Sequence, residues 1–269
     1  MPKTATARLP CRLPRRRGTR RSPRFFAGTG GDMEQENATQ PTSASSVHGK
    51  GQADGEPGTT CLLPADDRDA LAKAVVVLQS GGLVALPTDT VYGIAAHAYL
   101  PAAVERSYAV KERPPDKAIP LLLGEVRAVE RVARDVPHLA YRLMERFWPG
   151  ALTIVLWAKD HVPRIVTAGT GTVALRLPDH AVPRALATAL QAPLAGTSAN
   201  LSGRPSPRTA TEVIADLGGR IELILDGGPC PGGIESTVID LTKDAPRIVR
   251  VGAIPVAALR PFLPPSEDR

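Results

Sequence analysis

From residue 61 onward the chain alternates short apolar runs with longer stretches of helical spacing, and this alternation restricts the fold more than any other feature. LVALP (83–87) is apolar at every position, so a strand made from it must bury both faces inside a helix-covered sheet. The stretch before it, ADDRDALAKAVVVLQSGG (65–82), has acids at its start and Gly81-Gly82 at its end, which mark the first and last turns of a helix. AAVERSYAVKER (102–113) reads as a second helix, stopped by Pro114-Pro115. IPLLL, LTIVLWA, TVALRLP, PLAGTS, IELILD, STVIDL and RIVRVG read as further strands, and residues around 126–146, 181–191 and 208–217 as further helices. The fold class is therefore α/β, in a single folded domain. A chain of 269 residues has room for about one or two domains, and no internal repeat is visible.

Charge divides the chain differently. Residues 1–31 hold nine of the 33 basic residues and no acid, which leaves 24 basic against 27 acidic residues in the remainder. Residues 32–269 are thus net −3, and the positive balance of the chain belongs to its first 31 residues rather than to a broad field for a polyanion. The arginine-rich, acid-free start has the composition of a mitochondrial presequence, so both cytoplasmic and mitochondrial locations are expected. Met33 follows the basic block and would serve as a second start that drops this address. Residues 34–60 are too poor in bulky apolar groups to offset the entropy of ordering, and a disordered basic extension over 1–60 is expected. The folded body then spans 61–262, with 263–269 as a tail. No apolar run approaches the ~20 residues that cross a bilayer, so no transmembrane segment is expected. The five histidines show no zinc-type spacing, and no metal site is expected.

Polar residues gather where the strands end. Thr88, Asp89, Thr90 and Tyr92 follow LVALP; Lys111, Arg113 and Lys117 follow the second helix; Ser198, Asn200 and Ser206 follow PLAGTS; Glu235 and Ser236 precede a strand. In TVALRLP, Thr172 and Arg176 share one face, ~13 Å apart at ~3.3 Å per residue. Ligands of α/β sheets bind at strand ends, and hydroxyls with cations there suit a small anionic or zwitterionic molecule. Each cluster also has a structural explanation. Lys111 and Arg113 at a helix C-terminus complement the macrodipole, Thr-Asp-Thr is able to cap a helix, and TSAN is able to form a polar turn.

Taken in order, PTDTVYG, KERP, WPGALTIVL, TVALRLP, GTSANLSGRPSP, DGG, ESTVID and RIVRVGAI resemble the threonylcarbamoyl-AMP synthase family, the YrdC-like domain. The resemblance covers roughly residues 65 to 255. It implies a twisted, mixed parallel/antiparallel sheet flanked by helices, with a concave, positively lined active-site surface. It also implies that ATP, L-threonine and bicarbonate give threonylcarbamoyl-adenylate and pyrophosphate. That adenylate feeds threonylcarbamoyladenosine formation beside the anticodon of tRNA. By the same resemblance Thr90, Arg176 and Ser236 hold threonine, and Tyr92 helps wall its pocket. Arg113, Lys117, Thr172, Ser198, Asn200, Ser206 and Arg250 hold the nucleotide, with Lys111 and Arg113 as the catalytic cations. Implied partners are Mg2+ arriving with ATP and a downstream threonylcarbamoyl transferase, without stable tRNA binding. Three positions depart from the family pattern: Val251 replaces a proline after Arg250, Leu122 replaces a histidine, and Lys117 replaces a polar amide.

The chain lacks a GxSxG nucleophile elbow and a GxxxxGK[ST] phosphate loop, so ATP has to be held by dispersed cations and hydroxyls. An RNA-binding module is the alternative from another class, since a concave basic sheet surface could grip double-stranded RNA. The net −3 of residues 32–269 and an aromatic content of only 4% weigh against it.

Overall fold

A computed structural model describes residues 59–263. The expectations for residues 1–58 and 264–269 lie outside the described residues. Among the described residues eleven strands form one sheet: β1 (Cys61–Pro64), β2 (Val84–Leu86), β3 (Gly93–His97), β4 (Leu121–Leu122), β5 (Ala133–Arg134), β6 (Leu152–Ala158), β7 (Thr172–Arg176), β8 (Leu194–Ser198), β9 (Leu223–Asp226), β10 (Thr237–Asp240) and β11 (Arg247–Arg250). Their order across the sheet is β1-β9-β2-β3-β8-β4-β7-β6-β10-β11, with β5 paired to β6 off this path. The pairs β1/β9, β2/β9, β4/β7 and β6/β10 are parallel and the rest antiparallel, so the sheet is mixed, as the α/β reading expects.

The helices are α1 (Arg68–Gln79), α2 (Pro101–Lys111), α3 (Val129–Val132), α4 (His138–Phe147), α5 (Ala181–Leu190), α6 (Ala210–Leu217) and α7 (Val256–Leu259). The Asp67 side chain caps α1 by accepting from the Asp69 amide. The turn after α1 needs both of its glycines. Gly81 has φ +82°, and a Cβ on Gly82 would stand 2.6 Å from Val77 Cγ1. The end of α2 comes before its prolines: Lys111 is its last residue and Glu112 turns left-handed at φ 54°.

The single helix expected around 126–146 is two helices with a strand between them. Pro137 disfavours the helical region for Val136, and Asp135 turns at φ 51°. The chain instead extends at Ala133–Arg134 and pairs with β6, where the Arg134 guanidinium lies over the Trp157 ring. The sequence reading also missed β1 and β3. In GIAAH only Ile94 is β-branched, and the strand exists because β2 and β8 pair with it on both sides.

One apolar cluster joins Ala85, Ile94, Ala96 and Ile224 of the sheet with Val104 and Tyr108 of α2 and Val213 and Leu217 of α6. Their strand neighbours Val84, Leu86, Ala95 and Leu223 are equally buried and alternate to the opposite face, where α1 packs on β2, β3 and β9. LVALP is therefore apolar throughout because both of its faces are covered. Further along the sheet, α3 and α4 join the same cluster against Leu121, Ile154 and Leu175. The alternate residues there, Leu122, Ala174, Thr153 and Val238, line an open cavity of about 590 Å³ together with Gly196 of β8.

Candidate active site

The hairpin turn from β2 to β3 is built around one hydroxyl. Thr88 Oγ1 accepts from the amides of Thr90 (3.1 Å) and Val91 (3.2 Å) and donates to the Val91 carbonyl (2.7 Å). Thr88 and Thr90 both line the cavity, with their hydroxyls 3.0 Å apart, and Thr88 is the one that builds the turn. A glycine loop clamps the turn from behind. The Gly233 amide donates to the Thr90 carbonyl at 2.7 Å, and a Cβ on Gly232 would lie 2.7 Å from the Asp89 carbonyl oxygen. Tyr92 is a correction to the sequence reading, since it is fully buried and does not line the cavity. Its hydroxyl donates to the Gly228 carbonyl (2.8 Å) and accepts from the Gly227 amide (3.1 Å). Burial pushes its pKa up to about 12, so it is a neutral staple for the hairpin.

Arg176, at the end of β7, reaches the same turn. Its Nε donates to the Gly150 carbonyl (3.0 Å), Nη1 to Thr90 Oγ1 (2.9 Å) and Nη2 to Asp89 Oδ1 (2.6 Å). Burial lowers its pKa and the Asp89 carboxylate opposes that shift; a guanidinium stays charged in either case. These contacts engage three of its five N–H donors, and the other two have no protein partner among the described residues. Beside it, Ser236 Oγ lies 2.8 Å from Thr153 Oγ1. Thr90, Arg176, Ser236 and Thr153 together make a small polar end to the cavity. The sequence reading passed over Thr153 because a lone threonine in LTIVLWA looks like ordinary strand composition.

Cations dominate the other end. Lys111, the last residue of α2, is buried, and its ammonium donates to the carbonyls of Ser198 and Asn200 and, at 3.4 Å, to Asn200 Oδ1. Burial, and then the charge of Arg113, push its pKa down to about 8. The Asn200 side-chain amide donates in turn to the carbonyls of Leu201 (3.0 Å) and Arg204 (2.6 Å), so one lysine and one asparagine fix the loop after β8. Arg113 closes its own turn through the carbonyls of Lys117 (3.3 Å) and Ala118 (3.1 Å). Ser206 Oγ donates to Glu235 (2.8 Å), whose other oxygen pairs with Arg250, and Arg250 also donates to the Ser236 carbonyl (3.0 and 3.1 Å).

Of the residues singled out from sequence, Thr90, Lys111, Arg113, Lys117, Arg176, Ser198, Asn200, Ser206, Ser236 and Arg250 all line this one cavity. Thr172 does not. It stands at the far end of β7 with its hydroxyl 2.9 Å from Thr170 Oγ1. Arg204, paired to Asp216 at 2.8 Å, is a lining cation that the sequence reading left without a role. Glu235 is the single carboxylate in the lining, against Lys111, Arg113, Lys117, Arg176, Arg204 and Arg250. Among the described residues there is no group of three or more His, Cys, Asp or Glu side chains able to hold a metal. Nor is any described helix long and apolar enough to cross a membrane.

The model of the Sua5/YciO/YrdC family, described as "Telomere recombination", matches residues 76–252. The chain belongs to this family. A Sua5/YciO/YrdC relative, the threonylcarbamoyl-AMP synthase of Pyrococcus abyssi, is 44% identical over 179 residues, 66% of this chain and 53% of the relative. The threonylcarbamoyl-AMP synthase of Bacillus subtilis is 44% identical over 185 residues, 68% of this chain and 54% of the relative. The crystal structure of P. abyssi Sua5 complexed with L-threonine superposes with a TM-score of 0.73 at 39% identity, covering 76% of this chain and 61% of that one. This family member therefore shares the Sua5 fold, and it spans about half the length of the curated relatives it matches.

Proposed function

We propose that this chain is a threonylcarbamoyl-AMP synthase, a nucleotidyltransferase that makes L-threonylcarbamoyladenylate and pyrophosphate from ATP, L-threonine and bicarbonate. The observation that carries this is the two-ended cavity. A buried arginine with two spare donors and three hydroxyls stand at one end, and dispersed cations with no phosphate loop stand at the other. Two relatives with that name, and a related structure holding threonine, support it.

In the proposed reaction the Arg176 guanidinium takes the threonine carboxylate, a pairing of planar fork with planar anion, and Thr90 and Ser236 orient the rest of the amino acid. The threonine amine and bicarbonate condense to a carbamate with loss of water. A carbamate oxygen then bonds to the α-phosphorus of ATP as the bond to the departing pyrophosphate breaks. Chemistry of this kind depends on alignment and on neutralising charge, which Arg113, Lys117, Arg204 and Arg250 supply at the nucleotide end. A magnesium ion would arrive on the triphosphate, and the lining offers hydroxyl oxygens, among them that of Ser198, as further ligands. When bound, that ion would offset charge on the departing pyrophosphate.

The adenylate is a mixed anhydride, so its consumer is an enzyme that transfers the threonylcarbamoyl group to an adenosine of tRNA. The basic segment 1–31 is proposed to send part of the protein to mitochondria. The test of the reaction is threonine-dependent pyrophosphate release. Arg176→Ala should lower kcat/KM for L-threonine on the order of a hundredfold, the scale for losing a charge-assisted fork. Pyrophosphate release that proceeds equally well without L-threonine would overturn the proposal.

A further inference from the structure

Glu235 is not needed for the chemistry proposed above, yet it sits in the middle of the cations. One carboxylate oxygen accepts from Ser206 Oγ at 2.8 Å and the other pairs with Arg250. A hydroxyl and a guanidinium on two oxygens of one anion are the donors that a phosphate group takes. The pair is open to solvent, with side-chain exposures of 45% for Arg250 and 35% for Glu235, so another anion has access to it. Arg250 does not depend on Glu235 for its place. Its Nε and Nη2 both hold the Ser236 carbonyl, at 3.1 and 3.0 Å. The Glu235 backbone is fixed independently through its carbonyl, which accepts from the Ala253 amide at 2.8 Å. The carboxylate is therefore the part of the arrangement that is free to swing away.

We propose that Glu235 is a built-in counter-ion that occupies Ser206 and Arg250 until a nucleotide phosphate displaces it. It thereby sets nucleotide and pyrophosphate affinity below what the cations alone would give. This rests on reading the cavity as an ATP site. Exchange of one anion for another on fixed donors leaves Arg250 neutralised before binding and after product release. A cation cluster without that partner would hold pyrophosphate more tightly and release it more slowly.

The test is a titration of the full chain with ATP and, separately, with inorganic pyrophosphate, for wild type, Glu235→Gln, Arg250→Ala and the double variant. Glutamine keeps the shape and the acceptor for Ser206 while removing the charge. Glu235→Gln should bind both probes about fivefold more tightly, the scale of a partly exposed ion pair that no longer has to be broken. In the Arg250→Ala background the same substitution should change affinity by less than about twofold, because the two residues share one interaction. Weaker or unchanged binding in Glu235→Gln would overturn the proposal and make the carboxylate a fixed support. Wild type that binds neither probe would overturn the ATP-site reading, and this proposal with it.

Discussion

Two buried cations do different work in this cavity. Arg176 is held by Asp89, Thr90 and the Gly150 carbonyl in a pose that leaves two donors free, whereas the donors of the Lys111 ammonium land on the end of β8 and on Asn200 in the loop after it. In the proposed function Lys111 therefore acts on the nucleotide through its charge and through the loop it holds. With its pKa lowered to about 8 from the ordinary 10.5, it loses its proton at a lower pH than an exposed lysine does. Nucleotide affinity should fall as pH rises through about 8, and ATP binding at that pH should take up a fraction of a proton, because the polyanion favours the ammonium. Calorimetry in two buffers of different ionisation enthalpy measures that uptake. Between about 8 and 10.5 the unfolded chain binds more protons at this position than the folded one, so the lysine's contribution to stability rises with pH there. Lys111→Met should lack that rise in urea unfolding. At this scale the sequence was legible wherever a polar group broke an apolar strand end, as at Thr90, Arg176 and Ser236. Thr153 and Glu235 were not readable as site residues, because a threonine inside a strand and an acid in a loop have ordinary structural uses.

The β2–β3 hairpin shows how an element turns apolar burial into placement of a hydroxyl. Both strands are locked in the sheet, Tyr92 ties the turn to residues 226–228, and the loop through Gly232 and Gly233 lies directly on Asp89 and Thr90. A methyl group at Gly232 would meet the Asp89 carbonyl oxygen at 2.7 Å and Thr90 Cα at 3.0 Å, and backbone atoms have little room to yield. Gly232→Ala should cost about 2 kcal/mol of stability, a typical overpacking penalty. By shifting Thr90 it should also raise KM for L-threonine more than KM for ATP. Chemical denaturation and steady-state kinetics check the two effects; equal changes in both KM values would mean that the loop does not position the amino acid end. Strand β3 escaped the sequence reading because its alanines lack strand preference and its existence depends on pairing with β2 and β8. The break in the 126–146 segment turns on two residues, Asp135 and Pro137, set in an otherwise helical pattern.

Across the whole molecule, the decisive feature is that one face of the sheet is covered by α1 and α5 over only part of its width. Over the remainder Leu122, Ala174, Thr153 and Val238 line a cavity floor, with polar turns around the rim. The α/β class and most strands were legible because apolar runs and helical spacing each have one physical cause. The strand order was not, because β1, β2 and β9 meet through pairings between residues more than a hundred positions apart. Positive charge is concentrated in the cavity, where six cations line it against Glu235, rather than spread over a broad surface. The proposed synthesis is tested most directly by following carbon from labelled bicarbonate in the full-length protein with ATP, magnesium and L-threonine, quenched rapidly to trap the short-lived adenylate. The prediction is label in a nucleotide adduct that forms only when L-threonine is present. Bound ATP with no labelled adduct under these conditions would contradict it.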